Sequence, residues 1–312
     1  MDSNRTQSLL FEHRLLPDGT VSDHWRRIFI PDRDREMLLR YVTEAVSGEV
    51  DGVAPLVGGF SRFVIFVGPP GTGKSALALG LADQVARRIP GGISFWQLNC
   101  EGFFSKWEGE SARLVKDGFG MIRLASGKRP VVVLVDELES LAFARRKLIN
   151  AADPSDLTRA VDTLLRGLDE LRQSRRVLVI ATTNYAEAVD QAAWDRADLK
   201  VRFTLPSRPI RAAILADTFA EFRSVGLRLD QVDADALSEV GKGISGRLLR
   251  KAVWMAGVLT GKSYSELSRA DVEAAIEELL LQSEQDTEPR TTEGVDSGDV
   301  GEKPDPGLPS GA

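Results

Sequence analysis

The chain reads as an α/β protein, a mostly parallel sheet flanked by helices and followed by a small all-helical domain. Three observations predict this. Five short runs, Phe63 to Val67, Ile93 to Leu98, Val131 to Val135, Val177 to Ala181 and Leu199 to Phe203, alternate with helical patterns. Each run is nearly all apolar rather than alternating, as a strand covered on both faces requires. After Pro206 and Pro209 the strand signals stop, and residues 210–281 carry helical patterns such as Leu248 to Val258 and Ala270 to Leu281. Finally, a glycine-rich turn joins the first of the five runs to a helix-forming stretch, which is the join a phosphate-binding loop needs.

Length and composition fit this division. At 312 residues the chain suits two domains, on a rough prior of ~100–200 residues each. Hydrophobic residues make up 43% and charged residues 28%, an ordinary globular composition. We expect a short N-terminal extension over residues 1–20, a large nucleotide-binding domain over 21–206, a helical lid over 207–282 and a disordered tail over 283–312. The tail holds eight carboxylates against Arg290 and Lys303, which equals the whole formal charge of −6. Its isolated Val295 and Leu308 cannot bury enough surface to offset ordering. Outside it the charges balance, so direct nucleic-acid binding is not expected.

Other classes fall away on residue supply. Cys100 is the only cysteine, and His13 and His24 are the only histidines, which excludes an internal disulfide and leaves too few ligands for a zinc enzyme or a Ser-His triad. No apolar run approaches the roughly 18–20 residues of a membrane helix, and the polar start lacks a signal peptide's regions. A cytoplasmic protein without membrane contact is the expectation.

The chemistry concentrates in three motifs. Gly68, Pro69, Pro70, Gly71, Thr72, Gly73, Lys74 and Ser75 spell G-x-x-x-x-G-K-S between a strand and a helix. The glycines let amide N–H groups and a helix N-terminus face phosphate. Lys74 is placed to reach the β and γ phosphates of ATP, and Ser75 to ligate Mg²⁺. The run VVVLV then ends in Asp136 and Glu137, at the sheet edge where ligands bind. Asp136 suits the Mg²⁺ shell and Glu137 the polarisation of an attacking water, although two acids at a strand end can also be solvated loop residues. The run VLVIATTN ends at Asn184, either an ordinary turn residue or an amide bridging the γ-phosphate and the water. No N/T-K-x-D tetrapeptide for reading guanine is present.

These motifs, in this order, resemble the AAA+ superfamily. With FSKWEGES, DELESLAFARR, DPSDLTRAVDTLLRGLDEL, DQAAWDRADLK and SGRLLRK, the chain from about Leu15 to Leu281 is similar to the pachytene-checkpoint, or thyroid-receptor-interactor-thirteen, ATPases that remodel HORMA-domain proteins. The resemblance implies a homohexamer. It implies that Arg196 is an arginine finger for the neighbouring subunit and that Arg247 is a phosphate sensor in the lid. A surface ion pair with Asp195 or Asp198 is the alternative for Arg196, and a helix-surface charge for Arg247.

The resemblance also implies a substrate pore loop at Lys106, Trp107, Glu108 and Gly109, with core packing the alternative for Trp107. Arg145, Arg146 and Lys147 lead into the polar stretch Asn150 to Ser155, a candidate second pore loop with a solvated connection as the alternative, and adenine contacts are implied near Ile28 to Ile30. The short N-terminal region resembles bacterial members that act beside a HORMA protein and a cyclic-nucleotide synthase in anti-phage signalling. Two other functions fit the motifs: a different AAA+ protein unfoldase, and a nucleotide-gated binding switch that does not translocate polypeptide.

Overall fold

A computed structural model describes residues 11–48, 60–99, 111–140, 163, 166–171, 174, 176–189, 191–227, 229 and 232–287. Its sheet has six strands: β1 (Phe11–Leu16), β2 (Phe63–Val67), β3 (Ile93–Asn99), β4 (Val131–Asp136), β5 (Val177–Thr183) and β6 (Leu199–Arg202). Their order is β1-β3-β4-β5-β2-β6, and every pairing is parallel except that of β1 with β3. The five expected runs are strands. The sixth, β1, arises within the segment expected to be an extension. Only Phe11 and Leu16 at its ends are buried, and its exposed middle carries Glu12, His13 and Arg14, so it lacks the apolar signature of its neighbours.

Among the described residues, the helices with both ends defined are α1 (His24–Arg27), α2 (Asp32–Ser47), α3 (Lys74–Ala86), α4 (Ser111–Ser126) and α5 (Gln191–Arg196) in the large domain. Those of the lid are α6 (Arg208–Ser224), α7 (Ala234–Leu237), α8 (Gly246–Thr260) and α9 (Arg269–Thr287). The last helix therefore runs past Gln282, where the tail was expected to begin.

Alternation along the strands divides the large domain's core into two layers. Phe63, Ile65 and Val67 of β2, with Val131, Val133 and Val135 of β4, pack with Val115, Phe119 and Ile122 of α4. These helical positions are spaced for a single face. Val64 and Phe66, with Val132 and Leu134, meet Leu38, Val42 and Val46 of α2 and the apolar face of α3. That two-sided coverage explains the apolar runs of β2 to β5, whereas β6 alternates, with Val201 buried and Lys200 and Arg202 exposed.

The lid has a core of its own, built from Leu215, Leu237, Leu249, Val253 and Ile276 among others. Ser245 caps α8 by accepting from the Leu248 amide, and Gly261 ends that helix in the left-handed conformation. The buried Arg211 of α6 donates to Ser238 O at 3.0 and 2.8 Å and to Pro206 O at 3.0 Å. It thereby closes the lid onto the chain that enters it.

The parallel order also fixes where chemistry collects. Strand β5 lies between β2 and β4, with Val67 opposite Thr183 and Val135 opposite Ala181. The loop after β2, the carboxylates after β4 and the polar end of β5 thus emerge side by side at one sheet edge.

Candidate active site

A cleft of about 630 Å³ opens at that edge, within the ordinary range of ligand pockets. Residues of the glycine-rich loop, Asp136, Glu137, Thr182, Asn184 and the lid's Arg247 line it. Ile28, Phe29 and Ile30 line it too. Ile28 and Ile30 pack on the large domain's core, whereas Phe29 packs on the lid core, so this short segment bridges both bodies at the cleft.

The loop from Gly68 to Ser75 is held open by its backbone. Gly71 and Gly73 have φ of +75° and +95°, left-handed values that cost a glycine little. A Cβ at Gly71 would lie 2.5 Å from Ser245 Oγ, and one at Gly73 2.5 Å from Ile28 Cδ1. Helix α3 starts immediately afterwards at Lys74, directing its N-terminal N–H groups into the loop.

Lys74 is only 6% exposed and donates three hydrogen bonds, to Gly68 O at 2.7 Å, Pro69 O at 2.9 Å and Asn184 Oδ1 at 2.8 Å. Burial pulls its ammonium below the ordinary lysine value. The charges of Glu139, Asp136 and Glu137 oppose that shift, and Arg247 adds to it. All three N–H bonds of the ammonium are used, so an incoming phosphate oxygen has to displace a protein acceptor.

Asp136 is gripped from three elements. Ser75 Oγ donates to its Oδ1 at 2.6 Å, Thr182 Oγ1 donates to the same oxygen at 2.5 Å, and Gln97 Nε2 donates to Oδ2 at 3.3 Å. A hydroxyl and a carboxylate held this close form an all-oxygen donor set, which fits Mg²⁺ and its preference for hard ligands.

Glu137 follows with φ of +56°, a conformation uncommon for a residue with a side chain and worth roughly 1–3 kcal/mol of strain. Thr182 holds it there. Its Oγ1 accepts from the Glu137 amide at 3.1 Å, and its carbonyl accepts from the Leu138 amide at 2.9 Å. Thr182 also touches Asp136, so one residue of β5 sets the geometry of both carboxylates.

The sequence motifs thus meet in one place, with two exceptions. Arg196 ends α5 on the exposed surface and does not line its own chain's cleft. The loop Lys106 to Gly109 and the stretch from Arg145 to Ser155 lie outside the described residues. Conversely, Thr182, Gln97 and Glu139 did not stand out in the sequence. Each acts through a bond to another strand, and no local spacing encodes that. Asn184 is held by such a bond, its amide nitrogens donating to the buried Glu139.

Comparisons with known proteins agree with this fold. Residues 64–205 match the family described as "ATPase family associated with various cellular activities (AAA)". The chain is 33% identical over 237 residues to the pachytene checkpoint protein 2 homolog of Arabidopsis thaliana, a match covering 74% of this chain and 51% of that protein. It is 30% identical over 309 residues to the Mus musculus homolog, covering 90% and 71% respectively. The chain thus spans about half the length of the plant relative.

Two solved structures share the fold. Caenorhabditis elegans PCH-2 superposes with a TM-score of 0.71 at 24% identity, over 88% of this chain and 76% of that one. A chain of the Escherichia coli MS115-1 HORMA:CdnC:Trip13 complex gives 0.68 at 20% identity, over 87% and 96%. The sequence matches to the plant and mouse proteins establish that the chain belongs to the pachytene checkpoint protein 2 family of AAA ATPases.

Proposed function

We propose that the chain is an ATP-hydrolysing motor that assembles as a ring and remodels a HORMA-domain protein by drawing on its polypeptide. One observation carries the ATPase reading: Lys74, the Ser75–Asp136 pair, Glu137 and Asn184 come from three strand ends yet line a single cleft that the lid overhangs.

In this reading the loop amides and Lys74 bind the β and γ phosphates, the ammonium giving up part of its contact with Gly68 O, Pro69 O or Asn184. Ser75 and Asp136 would hold Mg²⁺, which supplies neutralisation of phosphate charge when bound. Glu137 accepts the proton side of the attacking water and aims its lone pair at the γ-phosphorus. Asn184 carries two N–H bonds on its side-chain nitrogen, and Glu139 takes one. The other is available to orient the water or a phosphate oxygen. Ile28 to Ile30 flank the adenine, and Arg247 reaches the phosphates from the lid. Arg196, exposed and outside its own cleft, serves the cleft of a neighbouring subunit, which makes assembly a condition of catalysis.

The choice of client is supported by the family membership and by the HORMA-containing complex of the Escherichia coli protein, which shares the fold. By the same likeness, control of a HORMA-bound cyclic-nucleotide synthase in anti-phage signalling is the biological role we infer. Trp107 in the Lys106 to Gly109 loop is the proposed grip on the client. Purified chain supplied with Mg²⁺ and ATP should release phosphate and separate a HORMA-domain protein from its bound peptide. Phosphate release without separation would reduce the chain to a switch, and no release at any protein concentration would end the ATPase reading.

A further inference from the structure

Glu139 lies two residues beyond Glu137, where the chain after β4 turns helical, and is only 5% exposed. Its Oε1 accepts from the Asn184 side-chain nitrogen at 2.7 Å and from the Asn184 main-chain N–H at 3.2 Å. Among the described residues its Oε2 has no hydrogen-bond partner. Buried carboxylate oxygens are costly to leave unmatched, so packing alone does not account for an acid at this position.

The arrangement around Asn184 supplies an account. A side-chain amide has an acceptor end and a donor end, and a half-turn exchanges them. Here the two neighbours are of opposite kinds. The Lys74 ammonium can only donate, and it meets Oδ1 at 2.8 Å. The Glu139 carboxylate can only accept, and it meets Nδ2. Between them the amide has one stable orientation. Remove the carboxylate and the lysine alone must hold it, yet phosphate binding draws on that same lysine.

We propose that Glu139 is a positioning residue for hydrolysis: it fixes the orientation of Asn184, so that the amide keeps its remaining N–H aimed into the cleft when Lys74 turns to phosphate. This rests on the reading of Asn184 as part of the hydrolytic site. It predicts that Glu139 matters to turnover only through Asn184, and not to nucleotide binding.

The test is a double-mutant cycle with Glu139→Met, which nearly preserves volume but cannot accept, and Asn184→Ala. Steady-state turnover and the affinity for a fluorescent ADP analogue are measured for both single variants and the double. The expected result is a loss of kcat of about tenfold or more for Glu139→Met, unchanged analogue affinity, and no further loss when it is added to Asn184→Ala. Glu139→Gln retains an oxygen acceptor and should recover turnover to within a few-fold of the parent. If Glu139→Met does not fold, Glu139→Asp takes its place, since it withdraws the acceptor by one methylene and must show the same coupling. Additive losses, a loss confined to nucleotide affinity, or Gln behaving like Met would each overturn the proposal. A wild-type chain that does not hydrolyse ATP, or an Asn184→Ala variant with full turnover, would instead overturn the reading of the site on which it rests.

Discussion

The main-chain N–H of Arg247 donates to the carbonyl oxygen of Gly71 at 3.1 Å, pinning the first turn of lid helix α8 to the phosphate-binding loop. The same contact brings Ser245 against the Gly71 Cα, with 2.5 Å between its Oγ and any Cβ added there. Gly71→Ala should therefore strain the loop and push the lid away together. Nucleotide affinity is expected to fall by about tenfold or more, since a left-handed φ and a contact of this kind each cost on the order of 1 kcal/mol or above. Titration with a fluorescent nucleotide measures it, and unchanged affinity would show that the lid contact is dispensable.

Glu137→Gln keeps the side chain's shape and removes the carboxylate assigned to the water. Lys74, Ser75 and Asp136 are untouched, so ATP should still bind. Turnover should drop by roughly 10²-fold to 10⁴-fold, the usual contribution of a positioned base. Filter binding and phosphate release on the same preparation check both halves, and near-normal turnover would remove Glu137 from the mechanism.

Arg196 is exposed at the end of α5, away from its own cleft. If it completes a neighbour's site, specific activity rises with protein concentration, and Arg196→Ala lowers turnover by about 10³-fold to 10⁵-fold. Mixing Arg196→Ala with Lys74→Ala chains should restore part of the activity, because some interfaces then pair an intact loop with an intact arginine. A mixture no more active than its components would place the finger elsewhere.

Trp107→Ala tests the grip apart from the motor. No step of phosphate chemistry is assigned to Trp107, so basal ATPase should stay within a few-fold of the parent while remodelling of a HORMA complex fails. Were the indole a core residue instead, its removal would cost about 3–5 kcal/mol and the melting midpoint would fall sharply. Midpoint, ATPase rate and complex dissociation, measured on one variant, separate these outcomes.

Much of this architecture is legible in the sequence because two-sided burial writes itself as unbroken apolar runs. Strands β2 to β5 follow from Val, Ile and Phe that have no solvent face to turn outward, whereas β6, at the opposite edge from β1, buries Val201 and leaves Lys200 and Arg202 exposed. The edge strand β1 does not follow in this way, because a strand bonded on one side can carry Glu12, His13 and Arg14. At the site, Lys74, Ser75, Asp136 and Glu137 were readable from local spacing. Thr182 and Glu139 acquire their roles only when β4 and β5 lie side by side, through bonds between residues about 45 positions apart in the chain.

That edge strand bears on how the protein stays in solution. All six residues of Phe11–Leu16 pair with residues 93–98 of β3, His13 stacks on Trp96 with ring centroids 4.4 Å apart, and Phe11 meets Phe119 edge-on at 5.9 Å. A chain trimmed to begin at Pro17 would leave the N–H and C=O groups of that face of β3 unpaired beside an uncovered tryptophan. Two such chains could zip together along the bared strand, as open sheet edges do. The charged edge strand that contributes nothing to phosphate chemistry is thus the part whose loss would first turn a clear preparation cloudy.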